Sequence, residues 1–180
     1  MASEETWNKV RAHFRPDSKI DNWGDVDGIS DEHLLRLYDF RVWVGTPIFV
    51  LHAVKTSGHA KKSYHYGRKD ENGVWTVEPC ATDIILPDYQ KTPFDLILDA
   101  QRFGFTGIGY YPHWRYNGQQ VGGLHVDSRP LKWDRDLSIN YRHSRWMGIK
   151  VQDENDEGKY KQEYIAMTFH NILKYSKGVE

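Results

Sequence analysis

Residues 122–129 read Gly-Gly-Leu-His-Val-Asp-Ser-Arg and set three chemically active side chains at alternate positions of the chain. In a β-strand, His125, Asp127 and Arg129 share one face, while the leucine and valine beside them lie on the other. The glycine pair before the strand leaves room for a substrate or another backbone to come close. The segment therefore predicts either an ordinary amphipathic edge strand or one wall of a site.

The rest of the chain predicts an α+β domain around this strand. Apolar spacing and capping residues predict four helices, over Glu4–Phe14, Ser30–Gly45, Thr92–Gly104 and Tyr160–Ser176. Short β-rich runs predict five strands, over Pro47–Val54, Asp83–Leu86, Gly107–Tyr111, Leu124–Arg129 and Ser144–Gln152. Asn72-Gly73 predicts a hairpin tip, and the acidic run Asp153–Glu157 predicts a solvated turn. Helices mixed with short strands and hairpin-length links are typical of the α+β class.

The composition limits the kind of protein that this chain can be. Its 180 residues suffice for one hydrophobic core, so we expect a single domain over residues 1–180. The formal net charge of −1 gives no basic field that would attract nucleic acid, and no apolar stretch approaches membrane-spanning length. We therefore expect neither nucleic acid nor a membrane as a partner. Cys80 is the one cysteine, so any metal site must use histidines and carboxylates.

Three ordered segments carry suitable metal ligands. They are Ser63-Tyr-His65-Tyr-Gly67, Ala81-Thr-Asp83-Ile84 and the strand with His125. A hydrolytic zinc site uses three protein ligands and keeps one position open for water. The metal then acidifies that water and polarises the substrate carbonyl.

These segments resemble the signatures of the D-alanyl-D-alanine carboxypeptidase family of zinc peptidases. Ser63-Tyr-His65 with Gly67, preceded by Thr56-Ser57-Gly58 and followed by Ala81-Thr-Asp83, is similar to the first signature. Gly107-Ile-Gly-Tyr-Tyr-Pro112, then His125-Val-Asp127-Ser-Arg129 with Trp133 behind, is similar to the second. The resemblance covers about residues 20–133 and leaves 134–180 as a C-terminal extension with a terminal helix.

The resemblance implies a fold, a metal and a substrate. The fold is a small antiparallel sheet with helices packed on one side, like that of hedgehog and D-Ala-D-Ala carboxypeptidases. The metal is Zn²⁺ on His65, Asp83 and His125, and the substrate is a peptidoglycan stem or cross-link peptide, cleaved by carboxypeptidase or endopeptidase action. Ser63, Tyr110 and Arg129 are the expected substrate-binding residues. Many members are phage lysins, and Met1–Trp7 lacks the features of a secretory signal. We therefore expect a phage or prophage lysin, in the host cytoplasm before lysis or on the virion.

Two departures from the family concern spacing and an arginine. Asp83 follows His65 by eighteen residues, a longer separation than in relatives, and the extra segment 68–79 is predicted to be an inserted hairpin. His59-Ala60 stands where relatives carry a substrate-gripping Arg. Arg68, Arg102 and Arg129 are the alternatives, and the sequence does not choose between them.

The general base is a third departure. Gly122 stands where some relatives carry an acidic residue. Asp127 is the candidate base, or else a group that orients a ligand or pairs with Arg129. Glu78 is a further candidate. His113 is either an oxyanion-stabilising group or a surface residue. The neighbouring aromatics form either a substrate groove or packing, and they are Tyr64, Tyr66, Tyr110, Tyr111, Trp114 and Tyr116.

Two other functions compete with a peptidase. The missing Arg and the missing acid favour a non-enzymatic, zinc-containing phage structural or cell-wall-binding protein on the same fold. A metal-dependent nuclease is the more remote alternative, and the near-neutral net charge argues against it.

Overall fold

The computed structural model of the chain describes residues 2–55, 63–129, 144–153 and 156–176. The α-helices in these ranges are α1 (Glu4–Val10), α2 (Asp31–Val44), α3 (Pro93–Arg102) and α4 (Phe169–Ser176). The Ser30 hydroxyl accepts from the backbone N–H of His33 and caps α2, which ends at Gly45 in the left-handed conformation. Thr92 and Asp95 form a capping box at the start of α3. The predicted signals of these two helices are confirmed.

Ten strands lie in the described ranges. They are β1 (Phe49–His52), β2 (Arg68–Lys69), β3 (Trp75–Val77), β4 (Ala81–Ile85), β5 (Gly107–Tyr111), β6 (Arg115–Tyr116), β7 (Gln119–Gln120), β8 (Gly123–Asp127), β9 (Ser144–Asp153) and β10 (Asp156–Ala166). Six of them form one sheet in the order β1-β4-β8-β5-β9-β10, while β2–β3 and β6–β7 are separate hairpins. The predicted α+β class is confirmed.

The six-stranded sheet is mixed, whereas a purely antiparallel sheet was expected. β9 runs parallel to β5, and all other neighbours are antiparallel. The strand order explains the difference. β8 runs opposite to β5, and β9 reverses the direction again but pairs with β5 instead of β8. Two reversals bring the chain back to the direction of β5.

The helix predicted over Tyr160–Ser176 is wrong in its first half. Residues 160–166 belong to β10 and pair in continuous register with residues 152–146 of β9. Helix α4 begins only at Phe169. The apolar spacing of Ile165, Phe169 and Ile172 indicated one helix, but cross-strand pairing with β9 overrides that local pattern. Of the acidic turn predicted over Asp153–Glu157, Asp153 belongs to β9 and Asp156 and Glu157 belong to β10, so the turn is wrong at these residues, and residues 154–155 lie outside the described ranges.

The core lies between the helices and one face of the sheet. Alternate strand residues such as Ile84, Ile108, Leu124, Val126 and Met147 are buried against helical side chains on this face. The residues between them project from the opposite face. Asp83 and His125 belong to that second set, so the sheet separates the core from the candidate site.

The predicted hairpin around Asn72-Gly73 is confirmed. β2 and β3 pair antiparallel, and Gly73 at the tip has φ +79°, a conformation that glycine adopts without strain. Several segments that the sequence analysis compared with the peptidase family lie outside the described residues, namely Thr56-Ser57-Gly58, His59-Ala60 and Trp133.

Candidate metal centre

The three predicted ligands meet at one point. His65 Nε2 lies 3.2 Å from Asp83 Oδ1 and 3.0 Å from His125 Nδ1, and these last two atoms are 2.9 Å apart. Tetrahedral zinc with ligand bonds of about 2.0–2.1 Å separates its ligand atoms by about 3.3 Å. A small outward adjustment of the side chains would therefore accommodate the ion. Both imidazoles are buried, and the carboxylate is partly buried.

Hydrogen bonds behind the two imidazoles fix which nitrogen faces this point. His65 Nδ1 lies 2.7 Å from the carbonyl oxygen of Ala53, which can only accept, so Nε2 presents a lone pair when the ring is neutral. His125 Nε2 lies 3.1 Å from Asp127 Oδ2 and donates to it, which leaves a lone pair on Nδ1. With the carboxylate oxygen of Asp83, three lone pairs converge. The mutual repulsion of these lone pairs is relieved by a cation among them, which is a proton on His125 in the metal-free protein or a metal ion in its place, so the donor set fits a metal ion.

Strand register brings these ligands together. Asp83 on β4 and His125 on β8 are direct cross-strand partners, so their side chains leave the same face side by side. His65 is held beside them because its carbonyl accepts from the backbone N–H of Lys55 at 2.8 Å. The β2–β3 hairpin loops out between His65 and Asp83. A separation of eighteen residues therefore does not keep the two ligands apart.

Asp127 lies behind His125 and not in front of it. It is fully buried, and Oδ2 accepts from His125 Nε2. Oδ1 accepts from Arg129 Nε at 2.7 Å, and Oδ2 accepts from Arg129 Nη2. A general base needs an oxygen that reaches the reacting water or substrate. The geometry favours the second of its two expected roles, in which it orients a ligand and pairs with Arg129.

The titratable groups of the cluster are strongly coupled. Burial would raise the pKa of Asp83, but hydrogen bonds from His125 and His65 outweigh burial and hold it well below its usual range. For Asp127, burial is likewise outweighed by Arg129 and His125, so its pKa is also low. Burial would lower the pKa of His125, yet its bonds to Asp127 and Asp83 raise it to about 9. Two ionised carboxylates against one guanidinium leave one negative charge, which the proton on His125 offsets in the metal-free protein and which a metal ion would offset on replacing that proton.

Two glycines of β5 make room for the site. A Cβ on Gly107 would lie 2.0 Å from Asp127 Oδ2, and one on Gly109 would lie 2.5 Å from the ring of Trp146. Gly107 and Gly109 are the cross-strand partners of Asp127 and His125. Any larger residue at either position would therefore displace a group that supports the cluster.

The cluster opens into a pocket of about 540 Å³. Five aromatic residues line it, namely Tyr64, Tyr111, Trp114, Trp146 and Tyr164. The ring of Trp146 packs on His125 with centroids 5.1 Å apart, and the guanidinium of Arg129 lies 4.1 Å from the centroid of Tyr64. Both contacts border the candidate ligands, so the pocket combines a floor that could hold a metal ion, a fixed guanidinium and aromatic walls.

The predicted substrate-binding residues take different places. Ser63 and Arg129 line the pocket. Tyr110 projects from the opposite face of β5, is buried in the core and bonds to Ser176 Oγ at 3.2 Å. Its neighbour Tyr111 lines the pocket, since successive strand residues face opposite sides.

The remaining candidates lie away from the ligands. Arg68 is exposed on β2, and Arg102 on α3 pairs with Asp99 at 3.3 Å, so Arg129 is the one of the three candidate arginines beside the cluster. Glu78 lines a separate cavity together with Cys80. His113 packs on Tyr111 at 6.2 Å and does not line the pocket, and burial lowers its pKa.

Sequence reasoning missed the wall that comes from the C-terminal hairpin. Trp146, Gln162 and Tyr164 on β9 and β10 all line the pocket. The signal was the polar turn between two β-prone runs, which is typical of a hairpin. It was overridden by the helical spacing that continues into α4.

A buried histidine behind the sheet was also missed. His33 on α2 is fully buried and bonds to Ser128 Oγ at 2.9 Å and to Thr82 Oγ1 at 3.1 Å. Burial lowers its pKa to about 3, so the ring is neutral. It joins α2 to β4 and to the end of β8, the strands that carry two of the three ligands.

Comparisons with known proteins do not assign a family. No protein-family model, curated protein or solved structure matches the chain. Within the described ranges, no helix is both long and apolar enough to span a membrane.

Proposed function

We propose that this protein is a zinc-dependent peptidase that cleaves peptide bonds of peptidoglycan. The observation that carries the proposal is the convergence of three potential ligand atoms, from His65, Asp83 and His125, at the floor of an open pocket. Two histidines and one carboxylate are the ligand types of hydrolytic zinc sites. The motif resemblance supports the choice of peptidoglycan as substrate.

Each residue has a stated part in this proposal. His65, Asp83 and His125 would hold the ion, which when bound supplies a Lewis acid for the scissile carbonyl and acidifies water. Asp127 keeps the Nε2 proton of His125 in place, so that Nδ1 remains a ligand. Arg129 is fixed by Asp127 and by Ser144 Oγ, to which Nη1 donates at 3.2 Å. We expect its guanidinium to bind a carboxylate or carbonyl of the stem peptide.

A specific observation favours the non-enzymatic alternative. Among the described residues that line the pocket, Asp83 is the one carboxylate, and it is already a ligand. Gly122, where some relatives carry an acid, has no side chain to supply. A cell-wall-binding protein that holds zinc but does not turn over a substrate needs no second carboxylate beside the metal ligands.

Incubation of zinc-loaded protein with purified peptidoglycan tests the proposal. New amino termini or released D-alanine, detected by mass spectrometry, are the expected products. His65→Ala and His125→Ala should abolish them, while His170→Ala, an exposed histidine on α4, should not. Circular dichroism checks that each variant is folded.

The outcome separates the two functions. If the protein binds one equivalent of zinc but cleaves no peptidoglycan, the peptidase is refuted and the non-enzymatic cell-wall-binding function is favoured. Cleavage that persists in both ligand variants would contradict the assigned site.

A further inference from the structure

The hairpin of β9 and β10 has two chemically different faces. From the pair Tyr160 and Gln152 to the pair Ala166 and Trp146, the register is continuous, so the even-numbered residues of both strands share one face. The larger side chains on this face are Trp146, Lys150, Gln152, Tyr160, Gln162 and Tyr164. The one carboxylate of the same paired residues, Glu163, lies at an odd position and forms an ion pair with Lys161 at 3.1 Å.

The even face continues the wall of the pocket. Trp146, Gln162 and Tyr164 already line the pocket, and Gln162 Nε2 donates to the Tyr164 hydroxyl at 2.8 Å. Trp146 Nε1 donates to the hydroxyl of Tyr111 at 3.2 Å, which ties the hairpin to β5 beside the ligands. Tyr160 lies four residues beyond Tyr164 on the same face, about 13 Å further from the pocket at the rise of a β-strand.

The exposure of this face indicates a ligand. Tyr160 and Tyr164 are 68% and 65% exposed, so packing in the core does not explain either ring. Flat aromatic rings with amide side chains between them suit a chain of neutral rings that carries hydroxyl and amide groups. One lysine and no arginine on this face of the paired strands is too little basic charge for nucleic acid.

We propose that this face binds the sugar strand to which the stem peptide is attached, an oligosaccharide of N-acetylated amino sugars. The inference rests on the proposed function for the choice of substrate, and it names a second part of that substrate. The peptide would enter the pocket while its glycan lies along Trp146, Gln162, Tyr164 and Tyr160. A peptide that adds a strand to the sheet would use the backbone edge of β10, whereas this face offers side chains.

Oligosaccharide binding in the absence of metal tests this proposal. The probe is a tetramer of N-acetylglucosamine, titrated into chelator-treated protein and followed by calorimetry and by the indole N–H signal of Trp146. We expect Tyr160→Ala and Tyr164→Ala each to weaken binding by about tenfold, as loss of an aromatic contact residue does. Phe169→Ala is the matched control, since Phe169 is 59% exposed but lies on α4, and it should bind as the wild type does.

The possible results separate this inference from the proposed function. Oligosaccharide binding that depends on both tyrosines, without peptide cleavage, would refute the peptidase and leave the glycan face standing. Cleavage without oligosaccharide binding would refute the glycan face alone. The glycan face would also be refuted if both tyrosine variants bound the tetramer as the wild type does, or if glycan-free stem peptide displaced the tetramer.

Discussion

The candidate metal centre and the β9–β10 hairpin border the same pocket but are built in opposite ways. At the candidate metal centre, both imidazoles are fixed by buried partners, Ala53 behind His65 and Asp127 behind His125. On the hairpin, Tyr160 and Gln162 are exposed at the edge of the sheet. The comparison teaches that the precise geometry of the candidate ligands comes from the buried strands β4 and β8, whereas a surface for a larger ligand can lie on an exposed hairpin at the edge of the sheet.

The largest expected effect is that of Gly107→Ala on the cluster. The added Cβ would lie 2.0 Å from Asp127 Oδ2, and β5 is held between two neighbouring strands. We expect the free energy of unfolding to fall by about 1–3 kcal/mol, with loss of zinc binding in the fraction that folds. Denaturant titration and metal analysis measure the two effects.

Gly73→Ala is the control for this change. Gly73 has φ +79° but nothing within 4 Å of an added Cβ, and it lies on the β2–β3 hairpin. It should lose about 1 kcal/mol through backbone strain and bind zinc normally. Equal loss of zinc in both variants would mean that the cluster does not depend on the space beside Asp127.

The centre of this site was predictable because its signals are local. Strand alternation placed His125, Asp127 and Arg129 on one face, and the hairpin signal at Asn72-Gly73 explained how His65 and Asp83 can meet across an insertion. These features depend on a few neighbouring residues. The motif resemblance then supplied the order of the ligands.

The hairpin was not predictable in the same way. Residues 160–166 combine helical spacing with β-prone tyrosines, and only pairing with β9 decides between the two structures. Register also decides that Tyr111 and not Tyr110 lines the pocket. His33 was missed because a histidine early in a helix gives no sign that it faces two polar strand residues in the core.

A second prediction concerns the residue behind His125. In Asp127→Asn, a neutral amide replaces the carboxylate that accepts the Nε2 proton of His125. Arg129 also loses its ion pair with Asp127. Metal affinity should fall by about 10–100-fold, the usual effect of losing such a partner. Competition with a chelating dye gives the affinity.

Asp99→Asn is the matched control. Asp99 is a buried carboxylate on α3 that bonds to Tyr89, Lys91 and Arg102, away from the pocket. It should lower stability without changing zinc affinity. An Asp127→Asn protein that binds zinc as tightly as this control would show that Asp127 has no positioning role.

A third prediction concerns pH. Folded His33 stays neutral down to about pH 3, whereas in the unfolded chain it is protonated below about 6.5. The unfolded state therefore binds more protons in this range, and the free energy of unfolding falls as the pH drops through it, by at most about 1.4 kcal/mol per pH unit.

Denaturant titrations of metal-free protein between pH 7 and pH 5 test this. His33→Gln should have a shallower pH dependence than the wild type, and His170→Gln, an exposed position, should match the wild type. Parallel curves for the wild type and His33→Gln would contradict a neutral, buried His33.

The smallest expected effect belongs to the hairpin. Because Tyr160 is exposed, Tyr160→Ala should change the free energy of unfolding by no more than about 0.5 kcal/mol and leave zinc affinity unchanged. Thermal melts and metal titration measure both. A loss of zinc in this variant would mean that the hairpin is part of the cluster's support, and the contrast between the two regions would fail.

Zinc stoichiometry of the purified protein, combined with X-ray absorption at the zinc edge, tests the central claim most directly. We predict one zinc per chain with two imidazole nitrogens and a carboxylate oxygen among its ligands, lost in folded His125→Ala and retained in His170→Ala. Absence of zinc from metal-saturated wild-type protein, or one equivalent retained unchanged in His125→Ala, would contradict the assignment of His65, Asp83 and His125 as a metal centre.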